Sequence, residues 1–345
     1  MGEHAAVYGR PALVSAVGPR AFVSLTRSPG DLVIDLPDLG EKSQTSWSEV
    51  ENRTEQARDL WSRYAENPTP ERFEALENDS PEHLVAIALG EVATEIGSAD
   101  LPSIEVRVSS ELPIGSGFGS SAATAVAVIG ATLALFDEAP DLDRIDRIAL
   151  EVERRQHGLP SGVDHKTVLF GGVVWARRIN EAEFEIEPLE IHSDLLSELL
   201  VYQTGRPRES TGEVVAAVRR LQAEEPTGFE RRLDSMQECV ESLRGYLCAP
   251  SETPDVLVNL MRRYERCLEE LGVVPRQVQR LIRAIEELDG AAKISGAGAL
   301  SGDAAGCLLV QGSGREPGRP SDLLRGYRRQ HVELGAKGFR IEEVE

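Results

Sequence analysis

Lysine is nearly absent from this chain. It occurs only at Lys42, Lys166, Lys293 and Lys337, so arginine supplies almost all of the 37 basic residues, which face 58 acidic ones for a formal charge of −21. A surface so short of positive charge excludes nucleic acid and anionic membranes as general partners, since both are held by basic patches. The same imbalance suits a high-salt habitat, where repulsion among carboxylates is screened. Cysteine is scarce too. Cys239, Cys248, Cys267 and Cys307 have neither Cys-x-x-Cys spacing nor histidine partners, which argues against zinc and disulfide frameworks and fits a reducing cytoplasm. No apolar run reaches the roughly 20 residues that a membrane-spanning helix needs; the longest, residues 122–136, falls short. The first residues carry no basic, apolar, small-residue signal pattern.

What the chain does have is length: 345 residues at 41% hydrophobic content are enough for two globular domains with separate cores. It also has a glycine- and serine-rich stretch, Glu111-Leu112-Pro113-Ile114-Gly115-Ser116-Gly117-Phe118-Gly119-Ser120-Ser121. Before it, residues 104–108 alternate apolar and polar as a strand does; after it, residues 122–136 read as a helix with an apolar face. Gly115, Gly117 and Gly119 permit positive φ and close backbone approach, and Ser120 and Ser121 fall where a helix leaves its first N–H groups unpaired. Those groups and the positive helix end suit a polyphosphate. The stretch is neither a Walker loop nor the usual dinucleotide fingerprint. Taken alone it also reads as a tight turn followed by a helix cap.

A second candidate lies further along. A helix from about residue 141 or 143 to His157 should end at Gly158. Its row Ile145, Ala149, Glu153, His157 sets Glu153 on an apolar face, where a carboxylate is either paired or metal-bound, or reaches solvent at the edge of the face. Ser161-Gly162-Val163-Asp164 follows and by itself reads as a turn. Elsewhere, residues 21–25 and 31–36 are predicted to pair as strands through Ser28-Pro29-Gly30. Helices are predicted over 51–66, 81–96, 211–223, 227–246, 253–270 and 274–287, with strands at 171–176 and 199–204. Residues 177–190 turn acidic and loop-like, and the domain boundary is placed near 184. A strand at 306–311, a helix at 321–334 and a strand at 339–344 are expected to close the chain as β-α-β.

Three separated motifs, and a further segment between the second and the third, resemble one family. The stretch from Pro113 to Ala122 resembles the nucleotide-binding motif of the GHMP small-molecule kinases, with Phe118 where that family usually has leucine. Gly2-Glu3-His4-Ala5-Ala6-Val7-Tyr8-Gly9-Arg10-Pro11-Ala12 resembles the first motif of the mevalonate kinases within it, and Glu153-Arg154-Arg155-Gln156-His157-Gly158-Leu159-Pro160-Ser161-Gly162-Val163-Asp164 resembles their central segment. Ala292-Lys293-Ile294-Ser295-Gly296-Ala297-Gly298 resembles the third family motif, although Ala299-Leu300-Ser301 stands where the family runs on in glycine. In that family the first motif follows a strand bearing Pro-Gly-Lys, which Met1 begins too late to include. A late start or a trimmed chain is the expectation; the other reading is a protein that dispenses with that lysine.

The resemblance implies an α+β, two-domain GHMP kinase fold. Its N-terminal domain, ribosomal S5 domain 2-like, would cover 1–184, and its ferredoxin-like C-terminal domain 185–345. It implies ATP-dependent phosphorylation of a small-molecule alcohol, with ATP and Mg²⁺ as cofactors and mevalonate as the expected substrate. By the same resemblance Pro113, Gly115, Ser116, Gly117, Gly119, Ser120, Ser121, Gly296 and Gly298 line the ATP. Ser121 and Glu153 hold the metal, and Asp164 takes the hydroxyl proton. Glu3, His4, His165 and Thr211 are acceptor-side candidates. Against them stand a plain turn for Glu3 and His4, an exposed loop position for His165, and a helix cap at Ser210 or Thr211. A homodimer is left open. So are another GHMP activity, such as a phosphomevalonate kinase or a mevalonate-type decarboxylase, and a non-catalytic nucleotide-binding protein on the same fold.

Overall fold

The structure, a computed structural model, describes the chain apart from residues 68, 77, 79, 98–100, 113–118, 137–140, 159, 181–182, 193, 251–254, 313–321 and 343–345. Four strands come first: β1 (Ala12–Ser15), β2 (Ala21–Arg27), β3 (Leu32–Leu36) and β4 (Glu41–Thr45). Helices α1 (Trp47–Glu66), α2 (Pro70–Leu76) and α3 (Pro81–Ile96) lead to β5 (Ile104–Ser110), and then to α4 (Ser120–Phe136), α5 (Leu142–His157) and α6 (Val163–Phe170). Strands β6 (Val173–Arg178) and β7 (Phe184–Leu189), the short α7 (Asp194–Ser197) and β8 (Leu199–Gln203) follow. The remainder is α8 (Thr211–Glu224), α9 (Pro226–Cys248), α10 (Val256–Glu270), α11 (Arg276–Glu286), β9 (Ala291–Ser295), β10 (Cys307–Gln311) and β11 (Arg328–Gln330).

Local chemistry sets many of these ends. Ser46 and Glu49 form a reciprocal capping box at the start of α1, and Ser80 caps α3 with Pro81 in its first position. Gly97, in the left-handed region at φ 67°, terminates α3. No helix among the described residues is long and apolar enough to cross a membrane.

Contacts divide the chain into two units, each discontinuous in sequence. The first comprises residues 1–18 and 172–336, the second 19–171 and 337–345. The expected boundary near 184 therefore falls inside the first unit. The reason lies in β6, which pairs antiparallel with β1 on one side and β7 on the other, so the N-terminal residues belong with the C-terminal half. The segment read as an acidic loop contains β7. Its Glu185 and Glu187 are exposed while Phe184 and Ile186 are half-buried, the period-two alternation of a strand with one wet face.

In the first unit a second sheet runs β11-β8-β10-β9, all antiparallel. Helices α9, α10 and α11 pack around a core that includes Phe229, Met236, Tyr264 and Ile282. Over its described residues the helix expected at 321–334 is helical only at Asp322 and Leu323; a turn follows at 324–326, and the chain then supplies β11 to the free edge of β8.

The second unit holds the sheet β2-β5-β3-β4. The expected pairing of 21–25 with 31–36 is corrected: β5 lies between the two, antiparallel to β2 and parallel to β3. All five residues of β3 are buried, so it takes an inner place with both edges paired, whereas the partly exposed β2 is an edge strand. Helix α3 and the apolar α4 pack in the core with α5. The strand expected at 339–344 is also absent over its described residues. Phe339 instead donates its N–H to the carbonyls of Val168 and Leu169, and its ring fills the space that a side chain at Gly130 would need.

Candidate functional site

Each unit carries its own set of candidate functional side chains. In the second unit, α4 starts directly after Gly119, whose φ of 67° favours glycine and whose carbonyl accepts from Ala123 N–H at 3.0 Å. Ser120 and Ser121 thus stand in the first turn, among N–H groups that a helix leaves unpaired. Pro113, Gly115, Ser116 and Gly117 lie outside the described residues.

Helix α4 packs on α5 and α6. Glu153 of α5 is buried beside Ile145 and Ala149, as its four-residue spacing predicts, and a buried carboxylate requires a partner. That partner is His165. Its Nδ1 lies 3.0 Å from Glu153 Oε2 and its Nε2 lies 3.0 Å from Asp146 Oδ1. Burial disfavours the charged ring, but the hydrogen bond to Asp146 and the adjacent Glu153 carboxylate outweigh it and raise the His165 pKa to about 9. The exposed-loop reading of His165 is corrected: the residue is fully buried within α6, between two carboxylates. Asp146 also receives Lys166, and although burial opposes it, these two bonds lower its pKa. Sequence reasoning missed Asp146, although a seven-residue spacing from Glu153 puts both on one helix face.

Asp164 stands in the first turn of α6, after Gly162 at φ 72°. Its side chain reaches solvent, yet the protein around it and then the like charge of Glu153 raise its pKa, with His157 and His165 opposing. The end of α5 is held by α1. Trp61 donates Nε1–H to Gly158 O at 2.8 Å and lies under the Arg155 guanidinium at 4.7 Å, and Arg155 reaches the buried Glu91 of α3 at 3.2 Å.

In the first unit, the first and third motifs meet. Glu3 and His4 precede a single 3-10 turn, Ala5–Tyr8, and both face the end of β9. Glu3 Oε1 accepts from Lys293 Nζ at 2.6 Å and from Ser295 Oγ at 3.2 Å. Burial would raise the Glu3 pKa, but Lys293 and the Met1 amino group hold it at about 2. His4 has a positive φ of 56° and donates Nε2–H to Ala297 O at 2.8 Å; burial lowers its pKa. Tyr264 of α10 clasps the same segment, accepting from Gly2 N–H at 2.9 Å and donating to Glu3 O at 3.0 Å. Beside it Glu265, fully buried, accepts from Ile294 N–H at 3.0 Å, and burial pushes its pKa up to about 8. Lys293, Tyr264 and Glu265 were not singled out from the sequence. The one available signal was a lysine inside the apolar run Ala291-Ala292-Lys293-Ile294 of a lysine-poor chain.

Gly296, at φ 103°, faces open space; Gly298, at φ 76°, presses against Val273 O. The altered half of the third motif is tied down by Glu209, which accepts from Leu300 N–H at 3.1 Å and from Ser301 Oγ at 2.6 Å. Ser210 is the N-cap of α8 in a capping box with Glu213, and Thr211 is its exposed first residue. Thr211 bonds to neither set among the described residues, whereas Glu3 and His4 join the third motif and Glu153, Asp164 and His165 come together.

Residues 83–172 match the family model described as the GHMP kinases N terminal domain. Over 350 aligned residues, 99% of this chain and 95% of the relative, the sequence is 30% identical to a mevalonate kinase of Thermococcus gammatolerans. The fold is similar to the crystal structure of the Methanococcus jannaschii mevalonate kinase, with a TM-score of 0.73 at 17% identity over 96% of this chain and 94% of that one. It is also similar to that of L. major mevalonate kinase in complex with R-mevalonate, with a TM-score of 0.66 at 20% identity over 95% of this chain and 91% of the other. The α+β, two-domain kinase fold expected from the motifs is the fold of this chain.

Proposed function

Since this chain belongs to the GHMP kinases, in the company of the mevalonate kinases, we propose that it transfers the γ-phosphoryl group of ATP to mevalonate, giving 5-phosphomevalonate for isoprenoid precursor synthesis. Transfer to an alcohol requires a base near the hydroxyl, donors along the phosphates and a metal to gather phosphate charge. Asp164 is the base. It is the observation that carries the proposal: an exposed carboxylate, next to an anchored Glu153, whose raised pKa increases its affinity for a proton. Gly119, Ser120 and the first turn of α4 are the phosphate-binding residues of the second unit, and Gly296 and Gly298 are the nucleotide-side residues of the first. Glu3 and His4 receive the acceptor.

Mg²⁺ fits the donors present. His165 engages only Oε2 of Glu153, leaving its other oxygen, and the like-charge repulsion between Glu153 and Asp164 would be relieved by a cation. Among the described residues no three His, Cys, Asp or Glu side chains group as a metal cage. A single carboxylate with Ser121 would hold Mg²⁺, an ion commonly bound through only one or two protein carboxylates. When bound, Mg²⁺ would neutralise charge on the β- and γ-phosphates.

The test is ADP release from Mg²⁺-ATP with mevalonate, phosphomevalonate, galactose or homoserine, with products analysed for CO₂. Turnover with mevalonate alone is expected. Asp164→Asn should lose at least about a thousandfold in kcat while leaving the ATP dissociation constant within about twofold. Wild-type turnover in that variant would overturn the base assignment. Preference for phosphomevalonate, or release of CO₂, would replace the substrate with that of the corresponding relative.

A further inference from the structure

Lys293 is 1% exposed, and a buried cation must be compensated. Its Nζ donates to Glu3 Oε1 and to Ile294 O, each at 2.6 Å, and lies 5.5 Å from the centre of the Tyr264 ring. Neither partner is a group expected to react. The consequence shows at Glu3. Its Oε1 is held twice, by Lys293 and Ser295, and its backbone carbonyl is held by Tyr264 O–H. Its Oε2 is buried and meets no hydrogen-bond partner among the described residues. A buried acceptor without a donor is costly and uncommon, and it marks a place prepared for a donor that arrives with a ligand.

We infer that Lys293 is a positioning residue: by fixing Oε1 of Glu3, it aims Oε2 at a hydroxyl of the acceptor alcohol, without touching that alcohol itself. The inference rests on the acceptor-side reading of Glu3 proposed above. Two features tie the geometry to a ligand rather than to stability alone. The Glu3 segment is held on three sides, by Tyr264, by Lys293 and Ser295, and through His4 by Ala297 O, yet one polar atom is left unused. His4, next to it, holds the left-handed backbone at φ 56° that non-glycine residues rarely adopt outside constrained sites.

Ionisation of Glu3 follows from the same contacts. The groups that face it are Lys293 and Ser295 of β9, Tyr264 and Glu265 of α10, Cys307 of β10, the neighbouring His4 and the Met1 amino group. Burial opposes the charge, and Lys293 is the foremost group that sustains it. Without Lys293 the carboxyl should take up a proton at a pH where the wild type is ionised.

The experiment uses the full chain with Lys293→Met, Glu3→Gln and the double variant, and Lys293→Gln as a second replacement should Lys293→Met fail to fold. Initial rates give KM for mevalonate and for ATP separately. Lys293→Met should raise the mevalonate KM at least about tenfold, and further as pH falls from about 8 to about 6, with the ATP KM within about twofold. In the Glu3→Gln background the same substitution should add less than about twofold, because the group it positions has gone. The carboxyl carbon of Glu3, followed by NMR in ¹³C-glutamate-labelled protein and assigned by its absence in Glu3→Gln, should stay ionised across this range in the wild type and titrate within it in Lys293→Met. A folded Lys293 variant with an unchanged mevalonate KM, with both KM values raised alike, or with full effect in the Glu3→Gln background overturns the inference. Absence of wild-type turnover with mevalonate overturns the acceptor reading instead, and the carboxyl titration then decides the clamp: an unchanged Glu3 in the variant sinks it.

Discussion

Glu265 holds a proton that the unfolded chain would release. Its pKa is raised from 4.5 to about 8, chiefly by burial, with the Ile294 N–H and Lys293 opposing. The sign follows from linkage. A folded-state pKa above the unfolded value means that the folded protein binds the extra proton, so this stabilisation is complete below about pH 4.5 and is lost as pH rises through about 8. Glu265→Gln keeps an oxygen for Ile294 N–H but cannot ionise. The wild-type melting temperature should fall from about pH 5 to about pH 8.5, and the variant should fall less, melting roughly 5 °C higher than wild type at the alkaline end. Parallel curves would acquit Glu265. At this scale the sequence exposed only what one helix or one motif contains. Glu153 was legible because spacing of four placed it among Ile145 and Ala149, whereas the Lys293–Glu3 pair joins residues at opposite ends of the chain. No local period reports such a pairing.

Among elements, helices were the most legible. Residues 81–96 and the end of α5 at Gly158 were read from caps and apolar faces alone, since both signals are local. Strand partners were not: residues 28–30 look like a hairpin turn, yet β5, from far along the chain, occupies the place between β2 and β3. The third motif permits a prediction at this scale. A Cβ at Gly298 would stand 2.2 Å from Val273 O, with the backbone at φ 76°, whereas one at Gly296, φ 103°, would meet no atom within 4 Å. Gly298→Ala should therefore destabilise the protein by roughly 3 kcal/mol or more, and Gly296→Ala by about 1–2 kcal/mol from backbone strain alone. Urea midpoints for the two variants decide it; equal losses would mean that the loop shifts freely away from Val273.

For the whole molecule, a formal charge of −21 means that most surface charges repel. Raising KCl shortens the screening length from about 10 Å at 0.1 M to about 3 Å at 1 M. Repulsion among exposed carboxylates is weakened more than short, buried pairs such as His165–Glu153. The melting temperature should accordingly rise by roughly 5 °C or more across that range. A fall would show that attractive pairs, among them Arg266 and Arg283 with Glu269 and Glu286, outweigh the net charge.

By itself the sequence determined the charge, most of the long helices, the order of the three motifs and the residue types available for phosphoryl transfer. These are properties of composition or of neighbours within a turn or two, where side-chain spacing maps directly onto backbone geometry. Only the tertiary structure decided that residues 1–18 belong with 172–336, that β5 separates β2 from β3, that His165 is buried between Asp146 and Glu153 rather than exposed in a loop, and that Lys293 holds Glu3. Each of these depends on which distant surfaces exclude water together. That choice is made by the packing of the complete chain, since burying one polar group obliges another, from wherever the fold can bring it, to pair with it.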